Sequence, residues 1–158
     1  MVVPASGRHS GPGWIVGLLL SAAGCGGGAV DLSPFLGTWT GTVAVSGGGA
    51  PTSNPSSLIV IEIDSRTVEL VGFCSDASGP RATASAADKL TVGEFSCPAV
   101  SVSGCSSVTV STQGGTATVE SGVLALHIEA TVSGCSQTEP VTFDFTGTRD
   151  GSSPVANQ

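Results

Sequence analysis

Apolar and polar residues alternate with a period of two along much of the chain. In Trp39-Thr40-Gly41-Thr42-Val43-Ala44-Val45, Trp39, Val43 and Val45 fall on one face, with Thr40, Thr42 and Ala44 on the other. Val141, Phe143 and Phe145 face one way and Thr142, Asp144 and Thr146 the other. Leu124, Leu126, Ile128, Ala130 and Val132 line one side of a long strand, opposite His127, Glu129 and Thr131. Such segregation marks a half-buried strand, because a period of 3.6 would mix the two sets. Further strands are predicted at 58–64 and 67–73, joined by Asp64-Ser65-Arg66, with Ile59, Ile61 and Ile63 opposed to Val68 and Leu70. Others are predicted at 81–86 and 89–95, joined at Ala87-Asp88, and at 107–112 and 116–120, with Gly114-Gly115 as the turn between them. The fold class is therefore all-β: a small antiparallel meander of about eight or nine strands over 35–149. Its short connections favour closure as a barrel, with a β-sandwich as the alternative; both dispose of exposed sheet edges. The stretch 46–57 reads as a mobile loop, and 150–158 as a disordered tail.

The first 24 residues have a different character. Arg8 and His9 precede the apolar run Trp14–Leu20, and small residues follow, Ser21-Ala22-Ala23-Gly24-Cys25. Charge, apolar core and small residues in this order are those of an export signal, here 1–24, and the run is too short to span a bilayer. Leu18-Leu19-Leu20-Ser21-Ala22-Ala23-Gly24-Cys25 resembles the lipobox of bacterial lipoproteins, with Ala22 where the usual pattern has Leu. The resemblance implies lipidation of Cys25 after cleavage, a tether over 25–34 that opens with Gly26-Gly27-Gly28, and attachment to the bacterial cell envelope at the outer membrane. Cleavage by ordinary signal peptidase, leaving a secreted chain, is the competing expectation.

Composition narrows the function. Beyond Cys25, Arg66, Arg81, Lys89 and Arg149 face twelve acids, and aromatic residues make up 4% of the chain. A nucleic-acid partner would need a cationic face and stacking rings. The Gly-rich stretch 46–50 lacks the Lys and Ser/Thr of a phosphate loop. His127 is the sole histidine after the signal and lies on a polar strand face, so neither a zinc trio nor a Ser-His-Asp arrangement can be assembled. The acids Glu62, Asp64 and Glu69 surround one predicted turn, where solvated carboxylates are ordinary. No enzyme, no cofactor and no metal are expected.

Five cysteines are an odd number, and acylating Cys25 leaves four for two disulfides in an oxidising compartment. Cys74 and Cys97 flank a predicted hairpin, which makes them the natural pair, and Cys105–Cys135 follows by remainder. Three predicted strands separate the latter two, which a strict meander would place at opposite ends. Cys97–Cys105 with Cys74–Cys135 is the competing connectivity. A zinc site is disfavoured because no Cys-x-x-Cys occurs.

Phe35-Leu36-Gly37-Thr38-Trp39 resembles the Gly-x-Trp motif that opens the first strand of lipocalins and fatty-acid-binding proteins. That resemblance implies a small barrel whose base is closed by Trp39, with Arg149 at the end of the last strand packed over it. It departs from lipocalins in having no Thr-Asp-Tyr motif and no predicted helix after the barrel. The lipobox, Gly37-Thr38-Trp39-Thr40-Gly41-Thr42, two cysteine pairs and the ending Thr146-Gly147-Thr148-Arg149 together resemble lipoproteins of myxobacterial type. The expectation is a membrane-anchored structural or interaction module of the envelope. The alternative is a lipocalin-like carrier of a small apolar ligand, lined by Ile61, Leu70, Leu126, Ile128, Phe143 and Phe145.

Overall fold

The computed structural model describes residues 30–151 apart from 48, 75–77 and 103; the signal, Cys25 and the chain after 151 lie outside the described residues. Among the described residues there are ten strands: β1 (Gly37–Ser46), β2 (Thr52–Asp64), β3 (Thr67–Val71), β4 (Arg81–Ala86), β5 (Lys89–Val92), β6 (Phe95–Ser96), β7 (Val100–Val102), β8 (Cys105–Glu120), β9 (Val123–Gly134) and β10 (Gln137–Arg149). All pairings are antiparallel, and β1 pairs with both β2 and β10. The β5–β8 pairing closes the sheet, so β1-β2-β3-β4-β5-β8-β9-β10 form a ring of eight strands. The short β6 and β7 pair with the part of β8 that runs on past the ring. The barrel alternative is the one adopted.

Inward-facing positions fill the interior at one end, here called the base. Trp39, Phe35, Val60, Val68, Leu70, Leu90, Val92, Leu124 and Ile128 are all fully buried there or just above. Each such side chain contributes ~1.5–3 kcal/mol relative to exposure, and an eight-stranded barrel is just wide enough for side chains to fill it. The outer wall of β8, β9, β10 and β1 carries Thr116, Thr118, His127, Glu129, Asp144, Thr146, Thr40 and Thr42. An apolar inside and a polar outside are the reverse of a membrane-spanning barrel.

Several expectations need correction. Strands 107–112 and 116–120 are one strand, β8. Its register with β9 shifts between Thr112 and Gly114, leaving Gln113 as an extra residue that switches which side chains face inward. Gly115 is required by proximity rather than by a turn: a Cβ there would lie 2.2 Å from the His127 carbonyl oxygen. Half of the predicted loop 46–57 belongs to β2, since Thr52–Ser57 pair with Thr40–Val45 of β1. The β2 alternation is also opposite to that expected. Leu58 and Val60 point in, while Ile59, Ile61 and Ile63 are about 40% exposed (40%, 40% and 41%). A shift of one residue in register exchanges the two faces of a strand.

The predicted tether ends earlier than 34. Leu32 and Phe35 are buried, and Val30 packs against the same core. A turn over Ser33–Phe35, closed by the Phe35 N–H donating to the Leu32 carbonyl at 2.9 Å, lays this segment across the base. Asp150, assigned to the tail, is held by Thr38 and Thr40 of β1.

Candidate functional site

The two ends of the barrel differ in chemistry. At the base, β1 delivers Trp39 and β10 delivers Arg149 through the register Trp39↔Arg149. The Trp39 indole Nε1–H donates to the Phe35 carbonyl at 2.8 Å, which satisfies the ring's polar atom inside the core. The Arg149 guanidinium carbon stands 5.1 Å from the Trp39 ring centroid, within cation–π range. The same guanidinium donates to the carbonyls of Ser33, at 2.8 Å, and Pro34. The structure thus brings together the two residues that the lipocalin resemblance paired, and Arg149 also pins the segment that enters from the N-terminal side.

The opposite end, the mouth, is apolar and incompletely filled. A recess of about 140 Å³ opens between β1, β2, β9, β10 and the loop after β3. Val43, Val45, Leu58, Phe73, Leu126, Phe143 and Phe145 supply its apolar lining, with Ser56 and Ser57 at the edge and no charged side chain. A second recess of about 130 Å³ lies beside it, against Cys74, Cys97, Pro98, Val100, Val108 and Val110. Phe73 and Phe143 separate the two, packed edge-to-face with centroids 5.3 Å apart.

Of the six residues expected to line a lumen, Leu126, Phe143 and Phe145 line the recess. Leu70 and Ile128 are fully buried in the packed core and do not line it, and Ile61 is on the outer wall. Sequence reasoning missed Ser56 because 46–57 was read as a loop, and Leu58 because the inward face of the strand from 58 was assigned to the isoleucines. Phe73 follows the end of β3, where no periodicity indicates its direction.

Both cysteine pairs meet at this end. Cys74 and Cys97 are at disulfide distance, with Cα atoms 5.6 Å apart, and so are Cys105 and Cys135, at 5.4 Å. The single long β8 removes the difficulty raised for the second pair: β8 starts, and β9 ends, beyond the mouth. Cys74 and Cys97 are buried against the second recess, whereas Cys135 is exposed in the two-residue turn between β9 and β10. Cys135 and Ser136 both have positive φ, 50° and 65°, as a tight type I′ hairpin requires.

The remaining polar features are on the outside. His127 Nδ1 and Asp144 Oδ1 lie 2.6 Å apart across β9 and β10, with both side chains about half exposed. An exposed pair of this kind contributes at most ~1 kcal/mol. Asp31 is held below its ordinary carboxylate range by hydrogen bonds from Ser33, and Asp64 by the Arg66 N–H at 2.9 Å. Both are turn residues at the base. Among the described residues no group of three or more His, Cys, Asp or Glu is placed to hold a metal ion.

No family model and no curated protein matches the chain. Among solved structures, it is similar to a Bacteroides fragilis protein described as a "putative outer membrane protein", with a TM-score of 0.45 and 17% identity. The match covers 74% of this chain and 52% of the other, so the chain spans about half the length of that protein.

Proposed function

We propose that the protein is a lipid-anchored module of the bacterial cell envelope, at the outer membrane, that works by structural or binding contact without catalysis. The observation that carries the reading is the polarity of the barrel. The chain enters at the base, where Val30, Leu32 and Phe35 pack under Trp39 and Arg149 pins the segment. Both cysteine pairs and the apolar recess are at the far end. A domain fastened at Cys25 would therefore be held by its most rigid end and would present a cross-linked rim. Two or three acyl chains would hold it firmly, since each buried methylene contributes ~0.8 kcal/mol.

A second reading, carriage of a small apolar ligand, is favoured by one feature, the uncharged lining of the mouth recess. Its volume, about 140 Å³, is below the ~300–1,000 Å³ of sites for drug-sized ligands, and the wider cleft of about 410 Å³ beside Cys105 and Cys135 is open to solvent and bordered by Glu139, so the contact reading is preferred. Fractionation of cells making Cys25→Ser tests the anchor: the variant is expected in the soluble fraction and the parent chain in membranes. A soluble parent chain would refute the anchor. Native mass spectrometry of the extracted protein separates the two readings, since a retained small molecule would establish carriage.

A further inference from the structure

The outer wall is not uniform around the ring. On β2, Ile59, Ile61 and Ile63 form an exposed apolar row, while the outer faces of β8, β9 and β10 are mostly Thr, His, Glu and Asp, with a single exposed valine, Val123, at the start of β9. In the eight-stranded ring, β8 is four strands from β2 in either direction, so the polar wall is diametrically opposite the isoleucines. Charge follows the same division. Three of the four Lys and Arg residues after the signal, Arg66, Arg81 and Lys89, lie within β2–β5 and their connections, among the acids Glu62, Asp64, Glu69, Asp76 and Asp88. Across the barrel, Glu120, Glu129, Glu139 and Asp144 lie among no Lys, and Arg149 is turned onto Trp39, leaving His127 as the partner of Asp144.

We infer that the β2 wall rests on the lipid surface, so that the barrel lies tilted with Ile59, Ile61 and Ile63 at the headgroup boundary. The inference rests on the anchor reading above and adds an orientation to it. Three observations select lipid as the occupant. First, the isoleucines lie in the base half of β2, since Gly37 at the base end of β1 pairs with Val60, and the chain enters the barrel at that same end, where Val30 packs against the core. The five residue steps from Cys25 to Val30 reach at most about 18 Å, which keeps that wall near the membrane. Second, the β2 side carries three of the four cations, so an anionic surface repels it less than the opposite wall, which is turned away. Third, a row three side chains long is far smaller than the ~800 Å² per partner of a stable pairing between two copies. A lipid surface needs no such area, because the tether makes the contact intramolecular.

The test uses the acylated full chain, extracted from membranes and reconstituted in phosphatidylcholine–phosphatidylglycerol vesicles. Ile61→Trp and Thr118→Trp place a fluorophore on opposite walls, and acyl-brominated lipid quenches what it touches. Bromination is expected to reduce the added Ile61→Trp emission about twofold, given the ~5–10 Å burial typical of interfacial side chains, and to leave Thr118→Trp unchanged. Equal quenching at both positions would overturn the orientation. A blue-shifted but unquenched signal at 61 would overturn it in favour of a second protein copy. A chain that fails to float with the vesicles would overturn the anchor reading and this inference with it; flotation without quenching at 61 would overturn this inference alone. The unsubstituted protein provides an independent measurement: a phospholipid with a photoactivated carbene in its acyl chain is expected to label 59–63 and not 116–120. The reverse pattern would contradict the proposal.

Discussion

The base and the mouth of this barrel are built from the same strands and held by different means. At the base, large side chains fill the interior. Trp39 and Phe35 are buried, the indole N–H is satisfied by a backbone carbonyl, and Arg149 caps the ring. At the mouth the interior is underfilled, with two recesses divided by Phe73 and Phe143, and the rim is joined by two cysteine pairs. Burial secures one end and cross-links the other.

The largest effect expected of this contrast is at Trp39. Trp39→Ala removes the largest buried side chain and leaves a cavity, at a cost of ~3–5 kcal/mol. That is comparable to the whole stability of a small domain, so urea denaturation is expected to find the variant largely unfolded. A loss below ~1 kcal/mol would mean that the base is not the principal core.

Next is the pair Cys74→Ala with Cys97→Ala, expected to cost ~2–4 kcal/mol by releasing a constraint on the unfolded chain. Graded reductant sharpens the comparison within the mouth. Cys105–Cys135 is expected to open first because Cys135 is exposed, and Cys74–Cys97 later because both are buried. Alkylation and peptide mapping would reveal the opposite order if burial does not control access.

A third prediction sets the two ends against each other directly. Val45→Leu adds a methylene to the mouth recess and is expected to change stability by less than ~1 kcal/mol, whereas Ala117→Leu in the filled interior should cost ~1–3 kcal/mol. Equal costs would remove the distinction. Arg149→Ala should be milder, ~0.5–1 kcal/mol from the lost cation–π contact plus the loosened segment at Ser33 and Pro34.

The smallest effect concerns pH. The Asp64 carboxylate is held below its ordinary range by the Arg66 N–H, so it is favoured in the folded protein. Its contribution is present above the carboxylate's unfolded value and is lost as pH falls through the lower folded one. Asp64→Asn should therefore lower stability slightly at neutral pH and leave it unchanged at acid pH, which flattens the acid limb of the stability profile. An unchanged acid limb would mean that the turn does not use the charge.

Much of this fold is legible in the sequence where one face is apolar and the other polar. β9 and β10 show their inward sides directly, and the Trp39 and Arg149 positions follow from the motif and the strand ends. The failures share a physical cause. Over 52–57 both faces of β2 are polar or small, so no alternation marks it as a strand, although β1 pairs along it. Farther along, 58–63 is apolar on both faces, so periodicity cannot tell Leu58 and Val60 from Ile59, Ile61 and Ile63. In β8 the extra residue Gln113 reverses the alternation midway, and Gly114-Gly115 imitates a turn; reading two strands there is what made Cys105–Cys135 look awkward. The recess was half legible, because its residues come from strands of known parity and from a loop of unknown direction.

The central claim is that a barrel cross-linked at its far end is fastened to the envelope through the residue that precedes its base. Intact-mass analysis of protein extracted from membranes tests it most directly. The account predicts a chain that begins at Cys25, carries acyl groups and has no free thiol among Cys74, Cys97, Cys105 and Cys135. A chain that retains its first 24 residues, or one that starts elsewhere without acylation, would contradict it.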